Sequence, residues 1–124
     1  MRRNHPTVSV SGSILMLLCL MTTFAVIAHG GDEAAEAGQQ LFLGQKCNTC
    51  HAVPTVGIEA KAKSESMRGP DLINLAGERT PEWLAQYLRK EIQLNDADHK
   101  REFKGTPEEL DTLVTWILEQ EQTE

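Results

Sequence analysis

The 124-residue chain holds only three cysteines, and one of them, Cys19, lies in an uncharged apolar run near the N-terminus. Past that run only Cys47 and Cys50 remain. A disulfide between them would close a very small loop and restrain little of the unfolded chain, so a disulfide scaffold is excluded. No segment alternates apolar and polar residues with the period of a strand, which argues against a sheet. There are no internal repeats and no low-complexity tracts. No Ser/His/Asp set, no acid–base carboxylate pair in a recognisable motif and no phosphate loop is present. Positive charge is scarce as well. With Arg2 and Arg3 set aside, ten Lys and Arg face eighteen Asp and Glu, a formal charge of −8. An acidic domain of this kind does not seek nucleic acid or anionic lipid, and its better partners are basic protein patches.

The N-terminus reads as a targeting segment. Arg2 and Arg3 precede the uncharged run Ile14–Ala28, and small residues follow at Ala28, Gly30 and Gly31. That order is the secretory pattern, with cleavage expected after Gly30 or, second, after Ala28. The rival is an uncleaved anchor, for which the run is short: a spanning helix needs about 20 apolar residues. The expected organisation is therefore a signal segment at 1–30 and one domain at 31–124. The domain is exported, either periplasmic or held at the outer face of the inner membrane if the segment stays.

A domain this small has a thin core and usually adds a metal or cofactor. Three helices are expected in it. Residues 32–46 carry Ala34, Ala37, Gly38, Leu41 and Phe42 at helical spacing, with Asp32 as the N-cap. Residues 80–92 open with Thr80 as cap and Pro81 at the first helical position, and Trp83, Leu84, Tyr87, Leu88 and Ile92 form an apolar face. Residues 106–122 begin with a capping box, Thr106 and Glu109, around Pro107. Their buried stripe is Leu110, Leu113, Val114, Ile117 and Leu118, with Trp116 at its edge. Residues 52–70 and 93–105 read as loops.

The chemistry sits in "GQKCNTCHAV", residues 44–53. Cys47, Cys50 and His51 have the Cys-x-x-Cys-His spacing. A redox dithiol would sit at a strand-to-helix junction, which is missing here. A structural zinc needs four ligands, and adjacent Cys50 and His51 are strained as two of them. Covalent haem attachment uses every residue. The two thiols alkylate the porphyrin vinyl groups, and the following histidine lies under the iron. Export agrees with this chemistry.

With that motif in place, the chain from about residue 34 to 120 resembles the class I, mono-haem cytochromes c. The resemblance rests on "CNTCH", on "GQQLF" with Gly38 and Phe42, on "GPDL" at 69–72 and on "LVTWI" at 113–117. It implies an all-α cytochrome c-like fold, three main helices and loops around one haem c, working as a monomeric single-electron carrier. It implies that Gly38 and Phe42 meet Leu113 and Trp116, and that the Pro70 carbonyl bonds the second nitrogen of His51. It places Phe103 over the haem from the distal loop.

The distal face departs from the family. The family's distal methionine is missing from the loop before the last helix, which reads "DADHKREFKG". His99 is the expected distal ligand, because His51 and His99 are the two histidines left once the signal segment is gone. Lys100, Met67 and an open site are the alternatives; Lys100 would first have to lose its proton. Two imidazoles give a lower potential than the histidine–methionine pair. An open site instead suits a ligand-binding sensor, and a haem subunit of a larger oxidoreductase complex is a further alternative. Trp83 and Tyr87 are candidates for the haem edge. The stretch "GIEAKAKSESM" after the motif is a candidate shield or docking surface.

Overall fold

The computed structural model describes residues 30–121, so the signal segment expected at 1–30 lies essentially outside the described residues. Among the described residues three α-helices carry the fold: α1 (Gly30–Gly44), α2 (Pro81–Leu88) and α3 (Pro107–Leu118). Short 3-10 turns lie between α1 and α2, at Cys47–Thr49, Pro54–Val56 and Glu65–Met67. Among the described residues there is no named strand, only two isolated antiparallel bridges, Val53 with Ile58 and Leu94 with Ala97. The all-α expectation is borne out. No described helix is long and apolar enough to cross a membrane.

The caps read from the sequence are present. Thr80 Oγ1 accepts from the Trp83 amide at 3.2 Å and starts α2. At α3 the Glu109 amide donates to Thr106 Oγ1 at 3.2 Å while Glu109 Oε2 accepts from the Thr106 amide at 2.8 Å. Two orphan donors of the first turn are thereby satisfied. The helix starting at α1 differs from expectation. It begins at Gly30, which puts Asp32 inside the first turn, where its charge meets the helix dipole without capping the end.

The two later helices also stop earlier than their periodicity suggests. After α2, Lys90 adopts φ 60°, and the Glu91 amide reaches the Gln86 carbonyl at 2.9 Å. This is a Schellman-type stop with lysine in glycine's usual place. After α3, the buried Gln120 turns back: Nε2 donates to the Trp116 carbonyl at 2.7 Å, and Oε1 accepts from Thr55 Oγ1 at 2.5 Å. Its backbone carbonyl accepts from the Asn74 amide.

The core is where α1 crosses α3. Phe42, Leu110, Leu113 and Val114 are fully buried there. Trp116, expected at the edge, is 2% exposed and packs its ring 5.4 Å from that of Phe42. The reason is Gly38: a Cβ at that position would stand 2.2 Å from Trp116 Cβ, so only glycine leaves the indole its place. Val53 and Ala52 are buried too, although the sequence reads them as loop.

Candidate functional site: a cleft between two imidazoles

The chain leaves α1 through Lys46, which takes the left-handed conformation (φ 58°) and turns the backbone into the 3-10 segment Cys47–Thr49. The Cys50 and His51 amides both return to the Cys47 carbonyl, at 3.1 and 3.0 Å. Residues spaced three and four apart in such a turn share one face. The turn brings Cys47 and His51 to the same cavity, while Cys50, at the end of the 3-10 segment, is not among the residues that line it.

Residues 69–72 run alongside. The Gly69 amide donates to the Cys50 carbonyl and the Leu72 amide to that of Ala52, both at 2.9 Å. This pairing sets the Pro70 carbonyl 2.7 Å from His51 Nδ1. Gly69 gives the ring its room, since a Cβ there would lie 2.3 Å from His51 Cε1. An Arg68–Asp71 ion pair brackets the turn on the surface, where such pairs contribute little. Burial holds the His51 imidazole below its ordinary pKa, which keeps it neutral and able to donate a lone pair.

The opposite wall comes from residues 94–103. Asn95 and Asp96 both have positive φ, and Leu94 and Ala97 exchange two backbone hydrogen bonds around them. That is a two-residue turn of type I′. It sends the chain back toward the cleft, and the Phe103 amide pins its far end to the Leu88 carbonyl at 2.9 Å. Between these anchors lies His99, whose Nδ1 donates to the Arg101 carbonyl at 2.5 Å. The His51 and His99 rings face each other with centroids 6.0 Å apart and planes only 14° from parallel.

A half-open cavity of about 270 Å³ lies between these walls. Cys47, His51, Pro70 and His99 line it together with Trp83, Tyr87, Leu113 and Ile117. The fit to a haem is good on three counts. The lining is mostly apolar. Both histidines spend Nδ1 on a backbone carbonyl, which fixes the tautomer and leaves Nε2 for a metal. Two imidazoles that held one metal ion between them, each at about 2 Å, would have their ring centres roughly 6 Å apart.

The other candidates lie elsewhere. Met67 is half exposed on its 3-10 turn and does not line the cavity. Lys100 turns outward, its Nζ donating to the Ser66 carbonyl at 2.9 Å, and so ties the distal loop to the segment after the motif. That segment is also held by the Lys61 amide on the Asn48 carbonyl. Phe103 lines a smaller neighbouring cavity with Arg101, Cys47 and His99, the last two of which also line the main cleft. The rival readings of the motif fare poorly. Burial pushes the Cys47 thiol up to about 11, the reverse of what a redox nucleophile needs. No group of three metal-binding side chains is assembled among the described residues.

Sequence reasoning missed the type I′ turn, though Asn95-Asp96 is its signal. It also left Arg79 unmentioned, whose guanidinium lies 4.6 Å from the centre of the Trp83 ring.

Fold and site together define a small all-α domain that carries a covalently bound haem. The family model for cytochrome c matches residues 35–121, most of the chain, and the chain belongs to that family. It binds haem c and serves haem-based electron transfer. No curated protein and no solved structure matches it.

Proposed function

We propose that the chain is an exported single-electron carrier whose haem c is held by thioethers at Cys47 and Cys50 and ligated by His51 and His99. The observation that carries this reading is the pair of near-parallel imidazoles 6.0 Å apart across the cleft, each anchored through Nδ1. Haem c, when bound, supplies the Fe(III)/Fe(II) couple. The residues supply everything else. His51 is held by the Pro70 carbonyl, and the Arg101 carbonyl sets the tautomer of His99, so both rings keep Nε2 for the metal. Leu72, Leu113 and Ile117 exclude water from the ring faces. Two imidazole donors favour the ferric state, which places the potential below that of a histidine–methionine relative.

Partners with basic patches suit the charge. Residues 30–45 and 105–121 contain no Lys or Arg, so Asp32, Glu33, Glu36, Glu108, Glu109 and Asp111 stand unopposed on α1 and α3. These helices give a basic redox partner, in the periplasm or at the outer face of the inner membrane, something to steer toward. The domain itself works as a monomer.

The test is His99→Ala, followed by optical and low-temperature EPR spectra. His99 is half-buried in a loop, so the domain is expected to stay folded. The wild type is expected to be low-spin with a bis-imidazole signature, and the variant to become high-spin and to bind carbon monoxide rapidly when reduced. Spectra that the substitution leaves unchanged would sink the assignment. A wild type that is already high-spin would favour the sensor reading.

A further inference from the structure

On α2 and the residue just before its cap, three side chains repeat at intervals of four: Arg79, Trp83 and Tyr87. Residues four apart lie one above another on a helix face. Here they form a continuous column. The Arg79 guanidinium lies 4.6 Å from the Trp83 ring centre. The Trp83 and Tyr87 rings stack at 5.0 Å and 26°. Tyr87 then meets His99 edge to face, at 5.2 Å and 66°. All four residues line the cleft.

We propose that the Arg79–Trp83–Tyr87 column is a positioning device that sets the plane of the His99 imidazole nearly parallel to that of His51. It deepens the reading above and rests on His99 being a ligand. The physical argument starts from the bond that holds His99. Its Nδ1 contact goes to a carbonyl only two residues away, in its own loop. Such a bond fixes the tautomer but leaves the ring free to swing with the loop. Among the described residues, the ring contacts of His99 are with His51 and, edge to face, with Tyr87. Edge-to-face contact resists rotation of either ring about its bond to the backbone, because the positive edge would leave the negative face. Tyr87 is itself backed by Trp83, and Trp83 by a cation over its face, so the restraint reaches back to the start of α2. A plane set in this way matters to a carrier, because the angle between two axial imidazoles sets the splitting of the iron d orbitals and with it the anisotropy of the ferric signal.

The test compares frozen-solution EPR of the ferric holoprotein for the wild type, Tyr87→Phe and Tyr87→Leu, with circular dichroism to confirm helix content. The wild type is expected to give the resolved rhombic spectrum of near-parallel rings. Tyr87→Phe keeps the ring and is expected to keep that spectrum. Tyr87→Leu is expected to remain low-spin but to shift toward the strongly anisotropic signal of crossed rings. Trp83→Leu is the second variant, for use if Tyr87→Leu fails to fold, and is expected to shift the signal the same way. Loss of low-spin character in Tyr87→Leu also supports the proposal, since the ligand is then no longer held. A rhombic spectrum unchanged in both leucine variants overturns it. So does a shift as large in Tyr87→Phe as in Tyr87→Leu, which would assign the effect to the hydroxyl. If His99→Ala leaves the wild-type spectrum intact, it is the ligand assignment that fails, and the two failures are told apart.

Discussion

Gly38→Ala is expected to lower the melting temperature of the holoprotein by about 10 °C or more. The added methyl group would lie 2.2 Å from Trp116 Cβ and 2.5 Å from Cγ. Those are the atoms nearest the α3 backbone, so no rotamer change relieves the overlap; α3 has to move away from α1. Alanine's better helix propensity returns about 1 kcal/mol. Overpacking a fitted core costs about 1–3 kcal/mol and more when the overlap is this deep. Overpacking wins, with a net loss of about 2 kcal/mol or more. The control is Gly44→Ala in the same helix, where nothing lies within 4 Å of the new atom. Thermal unfolding followed at 222 nm checks both, and a Gly38→Ala protein as stable as the wild type would show that the crossing is looser than described.

Gly69→Ala is expected to strike the site more directly. Its methyl group would lie 2.3 Å from His51 Cε1 and 2.7 Å from Nδ1. The imidazole has nowhere to retreat, since Nδ1 is bound to the Pro70 carbonyl and Gly69 is itself tied through its amide to Cys50. One of these bonds has to break, at a cost of about 1–3 kcal/mol for the group left without a partner. The expected outcome is a low yield of haem-loaded protein and a high-spin fraction in what is recovered. Haem content per chain, from absorbance against mass, measures it. Gly77→Ala, with open space around it, is the matched control. A full complement of low-spin haem in Gly69→Ala would mean that the proximal wall is not held as the geometry indicates.

Much of this architecture is legible in the residues. Thr80-Pro81 and the Thr106–Glu109 pair start their helices because capping is local chemistry, decided within four residues. Cys47, Cys50 and His51 announce a covalent cofactor because their spacing is itself a helical turn. Gly38 in a helix signals a close crossing, and Trp116 is what it meets. What escapes is what depends on distant partners. Val53 looks like loop, yet its bridge to Ile58 folds it inward. Trp116 falls beside the apolar stripe of α3, and only the gap left by Gly38 makes it core. Lys90 ends α2 in a conformation that glycine usually marks. His99 is a candidate from the sequence alone, but its placement 6.0 Å from His51 follows from the type I′ turn and the Leu88 anchor, which the sequence reading does not anticipate.

The measurement that bears most directly on a two-histidine electron carrier is an optical redox titration of the wild-type holoprotein, followed by exposure of the reduced form to carbon monoxide. The predicted result is a single reversible one-electron transition, low-spin bands in both oxidation states, and a reduced spectrum that carbon monoxide leaves unchanged on mixing. A reduced form with high-spin bands that binds the gas at once would contradict it, because His99 would then not be on the iron.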